Sequence, residues 1–298
     1  MEKRLLRKKR KKRKKRKKSK LISVWYRRIL PAPCVSYSYV ILFLLASLLF
    51  LHNTEGLAEP PFTAERVGIK PEQELRIDLG LDYSHIDSSR DLVAFPALGL
   101  NYSAGPIVDL QADYDFLYRF TKRGTTIYGS GDLTLWTKVR FLPEKGYAPG
   151  VGLRFGVKLP NANAQDGLGT DQTDFYASIL ASQKLGRFEN RLNLGLAILD
   201  DPLKLRGQQD MLTLAVASIY NLSPKWQLLV DFYSQQGADA KFRFSKISAG
   251  GRYLNGKWVW DAALKKGLRS NHKGYQDELS LDWGIVLGVS RYFDLSRN

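Results

Sequence analysis

Apolar and polar residues alternate along most of the chain after Leu75. The stretch 108–119 shows this pattern most clearly, with Val108, Leu110, Ala112, Tyr114, Phe116 and Tyr118 opposing Asp109, Gln111, Asp113, Asp115 and Arg119. Successive side chains of a β-strand point to opposite faces, so a period of two predicts strands with one apolar and one polar face.

Twelve segments of this kind follow one another, which predicts an all-β fold. Pro96 interrupts the second segment, because proline cannot donate a backbone hydrogen bond to a neighbouring strand. The segments cover residues 75–83, 92–102, 107–119, 126–141, 148–159, 174–184, 190–199, 210–220, 226–234, 242–253, 257–268 and 279–293.

The connections between these segments distinguish a membrane barrel from a soluble sandwich. Every second connection is short, as at 103–106, 186–189 and 255–256, whereas most of the others, such as 160–173, are longer and more polar. Short turns at one end and long loops at the other are typical of outer-membrane barrels. We therefore expect a closed antiparallel transmembrane β-barrel of about twelve strands over residues 75–293, with short periplasmic turns, longer outer loops and a C-terminal tail, 294–298.

Aromatic residues cluster at the ends of segments beside the short turns. Trp226 and Trp258 begin segments there, and Tyr220, Tyr253 and Phe293 end segments on the same side. Such rings form a girdle at a membrane interface. Arg291, at an outward position of the last segment, departs from the pattern.

The basic charge of the chain is concentrated at its N-terminus. The formal net charge is +17, but 17 of the 46 lysines and arginines precede Ile29, and the chain after Ala58 is close to neutral. A basic nucleic-acid-binding domain is therefore not expected, because such a domain carries its cations on a folded face. A nucleic-acid or nuclear-localisation tract over residues 8–20 is the alternative interpretation of this run.

A short apolar run follows the basic tract. Residues 40–51 are too few for a membrane-spanning helix, which needs about 20, and residues 55–58 end in a small-residue cleavage pattern. These features predict a signal peptide with a long polybasic n-region, 1–58, and a periplasmic N-terminal segment, 59–74. The expected location is the outer membrane of a Gram-negative bacterium. Cys34 lies before the cleavage site, so a mature chain would contain no disulfide and no thiolate metal site, and we expect no cofactor.

Three stretches resemble a known family: 129–141, 152–160 and 166–175. They are similar to the outer-membrane β-barrel family named for the phenol meta-cleavage degradation pathway. The resemblance covers most of the mature chain loosely and 129–175 best. It implies a barrel that passes small, often aromatic or apolar, solutes, and it transfers no catalytic residues.

Acids and bases occur together on the inward face of the predicted barrel. They could line a pore and set its charge selectivity, or they could pair with one another and fill a closed lumen. The candidate pore-lining residues are Asp113, Asp115, Arg119, Asp132, Lys138, Arg140, Arg154, Lys158, Arg191, Asp231, Arg252, Asp261, Lys265 and Asp282.

Two further sites have weaker support. His85, Asp87 and the serines 88 and 89 could form a hydrolase site, but a solvated loop histidine explains His85 more simply. The acids of loop 166–174 could bind calcium, although turn chemistry also explains its Gly and Asp residues. We therefore expect no catalytic, cofactor or metal site, and no enzyme. Expected partners are outer-membrane lipid, small-molecule solutes and the barrel-assembly machinery, with no nucleic acid; the sequence does not predict an oligomeric state.

Overall fold

The chain folds into one closed antiparallel barrel of twelve strands, as the alternation predicts. The computed structural model describes residues 63–69, 71–121, 124–169, 171–201, 207–237, 243–270 and 281–296. The predicted signal peptide, Cys34 and His272 lie outside the described residues. The strands are β1 Glu74–Asp87, β2 Arg90–Gly105, β3 Val108–Thr121, β4 Thr126–Leu142, β5 Gly150–Leu159, β6 Asp174–Leu185, β7 Phe188–Asp201, β8 Gly207–Asn221, β9 Trp226–Gly237, β10 Arg243–Asn255, β11 Trp258–Ser270 and β12 Trp283–Asp294.

Pairing between the first and last strands closes the sheet. β1 pairs antiparallel with β12 from Glu74↔Asp294 to His85↔Trp283, and every other strand pairs with its sequence neighbours. Closure leaves no strand edge with unpaired backbone groups, which is the requirement for a sheet in hydrocarbon. Within the described residues, no helix is both long and apolar enough to span a membrane.

The two faces of the sheet differ as the alternation predicts. On β7, Leu192 and Leu194 are 40 % and 54 % exposed on the outside, whereas Asn193 between them is 6 % exposed. The same contrast holds on β9, where Val230 is 48 % exposed and Asp231 is fully buried. The barrel thus has an apolar outer surface and a polar interior, the reverse of a soluble protein.

One connection and one strand differ from the sequence prediction. Residues 85–91, which lie between the first two predicted segments and were expected to form an outer loop, contain only a two-residue turn, because Asp87 accepts hydrogen bonds from the Ser89 amide at 2.7 Å and from Arg90 Nε at 3.0 Å. β2 runs through Pro96, and its pairing with β3 passes from Ala94↔Leu117 to Ala97↔Asp115. This irregularity removes the proline from the ladder, so the strand extends beyond the predicted 92–102 in both directions.

Aromatic side chains form pairs at the short-turn end. Phe188 and Tyr220 have ring centroids 4.9 Å apart, and Trp226 and Tyr253 have centroids 4.8 Å apart. The guanidinium of Arg291 lies 4.9 Å from the Trp258 ring centre and 4.8 Å from the ring centre of Phe293. The outward arginine is therefore accommodated by cation–π contacts within the girdle.

Candidate functional site: the barrel lumen

Residues 63–69, here called the N-terminal insert, lie inside the barrel near its short-turn end. Ala64, Glu65, Arg66 and Val67 are all buried. The amide of Ala64 donates to Asp231 Oδ1 at 3.1 Å, that of Glu65 to Asn193 Oδ1 at 2.6 Å, and that of Val67 to Ser182 Oγ at 3.2 Å. Side chains of three inward-facing strand positions thus accept hydrogen bonds from the backbone of the insert.

Other luminal side chains donate to the carbonyl groups of the insert. Asn193 Nδ2 donates to the Glu65 carbonyl at 2.8 Å, and Arg191 donates to the Ala64 carbonyl at 3.3 Å. Lys138 Nζ lies 2.9 Å from the carboxylates of both Glu65 and Asp109 and is 2 % exposed. The insert therefore adds hydrogen-bond and ion-pair partners to buried groups of the lumen, beyond those that Lys138 finds in Asp109 and Arg191 in Glu189.

The connection 160–173 is here called the inward loop, and its residues 161–169 enter the lumen from the opposite end. Leu168 is 6 % exposed and packs in a cluster with Ala162 of the loop and with inward strand residues that include Leu92 and Leu117. Arg119 donates to the carbonyls of Asp166 and Gly167. The loop is therefore held by an apolar cluster and by hydrogen bonds together.

Asp132 anchors the start of the inward loop. Its Oδ1 accepts hydrogen bonds from the amides of Asn161, at 3.0 Å, and Ala162, at 2.9 Å. Lys158 bridges Asp132 at 3.4 Å and Asp174 at 2.5 Å, which joins the strands before and after the loop.

A cavity of about 690 Å³ separates the insert from the inward loop. Thr63 and Glu65 border it on one side, and Gly167 and Leu168 border it on the other. Its wall is chemically mixed: it carries Asp78, Asp113, Asp115, Arg154, Lys158, Lys246 and Asp261 together with Trp136, Tyr176, Leu180, Ala215 and Tyr233.

Most of the predicted pore-lining residues face this interior, and several form pairs. Arg252 Nε lies 2.7 Å from Asp261 Oδ1, Arg191 bonds Glu189, and Lys265 bonds Asp82. Arg119, Asp132 and Lys158 hold the inward loop; Lys138, Arg191 and Asp231 hold the insert. Asp113, Asp115 and Arg154 border the cavity.

Two predicted residues occupy other places. Arg140 lies beside the short turns and donates to the Pro106 carbonyl at 2.7 Å. Asp282 does not line the lumen: it precedes β12, is exposed and bonds Lys266, which lies on the outer face. The correction follows from the start of β12 at Trp283, because the alternation of inward and outward positions does not extend to Asp282.

His85, near the end of β1, and Ser89, in the turn that follows, do not contact each other as a base and a nucleophile would. His85 Nδ1 lies 2.7 Å from Asp91 Oδ1, whereas the Ser89 hydroxyl donates to Asp87 Oδ1 at 2.5 Å. A nucleophilic serine needs its base within hydrogen-bond reach, and here the two side chains bind different carboxylates.

In the described part of the chain, no group of three His, Cys, Asp or Glu residues is arranged to hold a metal ion. In the calcium candidate loop, Asp166 bonds Asn163 and Asp174 bonds Lys158.

Several luminal residues were not found by sequence reasoning. Glu65 and its neighbours precede the first strand and carry no periodic pattern, so nothing local places them inside a barrel. Trp136 and Tyr176 lie on the inward faces of β4 and β6, with ring centroids 5.3 Å apart. Each of the two is an aromatic residue among polar inward positions of its strand, and this pattern could have identified the pair as luminal.

Comparison with known proteins identifies the architecture. No protein-family model matches the chain, and no curated protein matches its sequence. An outer membrane channel from Pseudomonas putida F1 has a similar structure, with a TM-score of 0.59, 14 % identity, and coverage of 80 % of this chain and 100 % of that one. The NanC porin is similar with a TM-score of 0.52 and 8 % identity, covering 72 % of this chain and 98 % of that chain. At these identities the likeness shows the fold: a closed barrel of the kind found in outer-membrane channels and porins.

Proposed function

We propose that this chain is an outer-membrane channel for small solutes, cleaved after Ala58 and inserted as a closed barrel. The observation that carries the proposal is the cavity of about 690 Å³ inside the lumen, bounded by the N-terminal insert and the inward loop. Side chains alone can fill an eight-stranded barrel, whereas this wider barrel of twelve strands keeps an open space between the two segments that enter its lumen.

The outer surface supports the proposed location. Leucines such as Leu192, Leu194 and Leu228 are 40–54 % exposed on it, and aromatic pairs border it at the short-turn end. Such a surface belongs in hydrocarbon, where apolar side chains face lipid and rings lie at the interface. Fractionation of cells, with gels of heated and unheated samples, tests this part of the proposal: an unheated protein of anomalous mobility in the outer-membrane fraction supports it, and a cytosolic protein bound to nucleic acid contradicts it.

The mixed wall of the cavity supports small solutes with an apolar or aromatic part. Trp136, Tyr176 and Tyr233 contribute aromatic surface, and Leu180 and Ala215 contribute aliphatic surface beside the charged groups. The resemblance to the family of the phenol meta-cleavage pathway points to the same class. The chain acts as a conduit in this proposal, without catalysis, and the separate partners of His85 and Ser89 agree with that role.

A closed structural barrel is the second candidate. The observation that favours it is that segments enter the lumen from both ends while many luminal charges pair with one another, as Arg252 does with Asp261. In that case the inward loop and the insert would stabilise the barrel permanently and no solute would pass.

Permeation through liposomes separates the two candidates. The mature protein is reconstituted and influx of neutral solutes of increasing size is measured, first for the intact chain and then with residues 161–169 of the inward loop replaced by a short glycine-serine linker. We expect small solutes to enter, with a larger size limit after the replacement. Impermeability of both proteins to every solute would support the structural barrel and reject the channel.

A further inference from the structure

Arg154 presents its cation to the cavity in a fixed orientation. Its guanidinium carbon lies 3.9 Å from the centre of the Trp136 ring, and its Nε donates to Gln111 Oε1 at 2.9 Å. The side chain is therefore held by a ring face and by a neutral amide. Among the described residues, no carboxylate oxygen lies within salt-bridge distance of Arg154, although the nearby Asp113 carboxylate interacts with its charge.

Three other luminal cations are paired with acids within salt-bridge distance. Lys138 pairs with Glu65 and Asp109, Lys158 with Asp132 and Asp174, and Arg252 with Asp261. Arg154 differs from these three because its direct contacts, the Trp136 ring and the Gln111 amide, carry no full negative charge. A guanidinium fixed through Nε and one face keeps its two terminal nitrogens for another partner, and their parallel N–H groups match the two oxygens of a carboxylate.

A surface of two rings adjoins this cation. The Trp136 indole lies across Gly156, where a Cβ atom would come within 2.3 Å of the ring, so only glycine allows the ring to lie flat against the wall. The Tyr176 ring is 5.3 Å from that of Trp136 and packs against the apolar cluster of Ala197, Leu199 and Met211. A flat apolar group can therefore lie beside the guanidinium without losing contact with the wall.

Asp113 limits the charge that the site can accept. Its Oδ2 accepts a hydrogen bond from Trp136 Nε1 at 2.9 Å, which fixes the indole and places an acid at the edge of the ring, close enough to interact with Arg154. Because like charges repel, a second negative group on the solute would be disfavoured there.

We propose that Arg154, Trp136 and Tyr176 form a luminal subsite that binds small monocarboxylates with a flat apolar body. The inference rests on the proposed channel function and adds a solute class to it. The guanidinium binds the carboxylate, the two rings contact the body of the solute, and Asp113 discriminates against dicarboxylates.

Equilibrium dialysis of the mature barrel in detergent, with benzoate as the probe, tests the subsite. Benzyl alcohol has the same ring without the carboxylate, and isophthalate carries a second carboxylate. We expect benzoate to bind at least tenfold more tightly than benzyl alcohol, because a hydrogen-bonded charge pair contributes about that factor or more. We expect it also to bind more tightly than isophthalate, because Asp113 repels the second carboxylate. In Arg154→Gln the affinity for benzoate falls at least tenfold; Arg154→Lys, which keeps the charge and loses the planar fork, gives an intermediate affinity.

Arg187→Gln, which changes an exposed arginine of the β6–β7 turn, is the matched control and retains the affinity of the unchanged chain. Heat-dependent gel mobility shows that each variant is folded. Equal binding of benzoate and benzyl alcohol, no benzoate binding, or equal benzoate affinity in Arg154→Gln and Arg187→Gln would overturn the subsite. Conductance in potassium chloride is measured on the same proteins. Current without benzoate binding rejects the subsite and supports the channel, whereas benzoate binding without current supports the subsite and rejects the channel.

Discussion

Asn193 on β7 holds the N-terminal insert through both ends of its amide, and its replacement offers a sharp test of that docking. The side chain accepts from the Glu65 amide at 2.6 Å and donates to the Glu65 carbonyl at 2.8 Å. Asn193→Leu has nearly the same volume but removes both hydrogen bonds. The Glu65 amide and carbonyl would then be buried without those partners, unless the insert leaves the lumen.

The expected magnitude follows from these two bonds. Leaving a buried polar group unsatisfied costs about 1–3 kcal/mol, so two such groups weaken docking by about 2–4 kcal/mol, after allowance for partial solvation by luminal water. Since 1.4 kcal/mol is a factor of ten, the ratio of docked to released insert should fall by about 30-fold to 1,000-fold. The other contacts of the insert, such as the ion pair of Glu65 with Lys138, remain.

Cysteine labelling measures the released fraction. Val67→Cys places a thiol at a position that is 1 % exposed, and a maleimide reagent then reacts only when the insert is released. We expect Asn193→Leu to accelerate labelling at least 30-fold. Asn190→Leu is the matched control on the same strand, because Asn190 lies on the outer face and accepts its hydrogen bond from Ser218. Equal labelling rates in the two backgrounds would refute the docking described here.

Three further predictions test other parts of the barrel. Leu194→Arg, on the lipid face, should lower the free energy of unfolding by about 2–4 kcal/mol in urea titrations in lipid, while Thr134→Arg in the lumen should cost less; equal losses would show that the faces are assigned wrongly. Leu168→Ser should weaken the apolar cluster of the inward loop by about 1.5–3 kcal/mol and raise proteolysis of that loop at least tenfold, whereas unchanged proteolysis would mean that the loop is not held there. Gly156→Ala should displace the Trp136 ring, because the added Cβ atom would overlap it. We expect a shifted tryptophan fluorescence spectrum and a barrel less stable by about 1–3 kcal/mol, and an unchanged spectrum and stability would contradict the contact between Gly156 and the Trp136 ring.

The strands could be predicted because their signal is local. In β7 each outward leucine is followed by an inward polar or small residue. This pattern alone predicts the strand and its two faces. The two-residue turn at Ser88 and Ser89 was not predicted, because the same residues could also form a longer loop. Hydrogen bonds from the Ser89 amide and hydroxyl to Asp87 hold the short turn.

The contents of the lumen could not be predicted in the same way. The docking of Glu65 depends on Asn193, which lies 128 residues further along the chain, and no periodicity connects them. The inward-facing charges were predicted from alternation, but alternation does not say which acid each base contacts. Arg154 and Lys158 are four residues apart on the inward face of β5, yet Lys158 is paired with acids and Arg154 with an amide and a ring. The alternation therefore predicts that a cation faces the lumen, but it does not predict which groups that cation contacts.

Single-channel recording of the mature protein in planar bilayers tests the central claim most directly. We expect discrete current steps in potassium chloride from the intact chain, and larger or longer openings from Asn193→Leu than from Asn190→Leu, because release of the insert widens the path through the lumen. Folded protein that gives no current steps in the intact chain, in Asn193→Leu or after replacement of the inward loop would contradict a channel and leave a closed structural barrel.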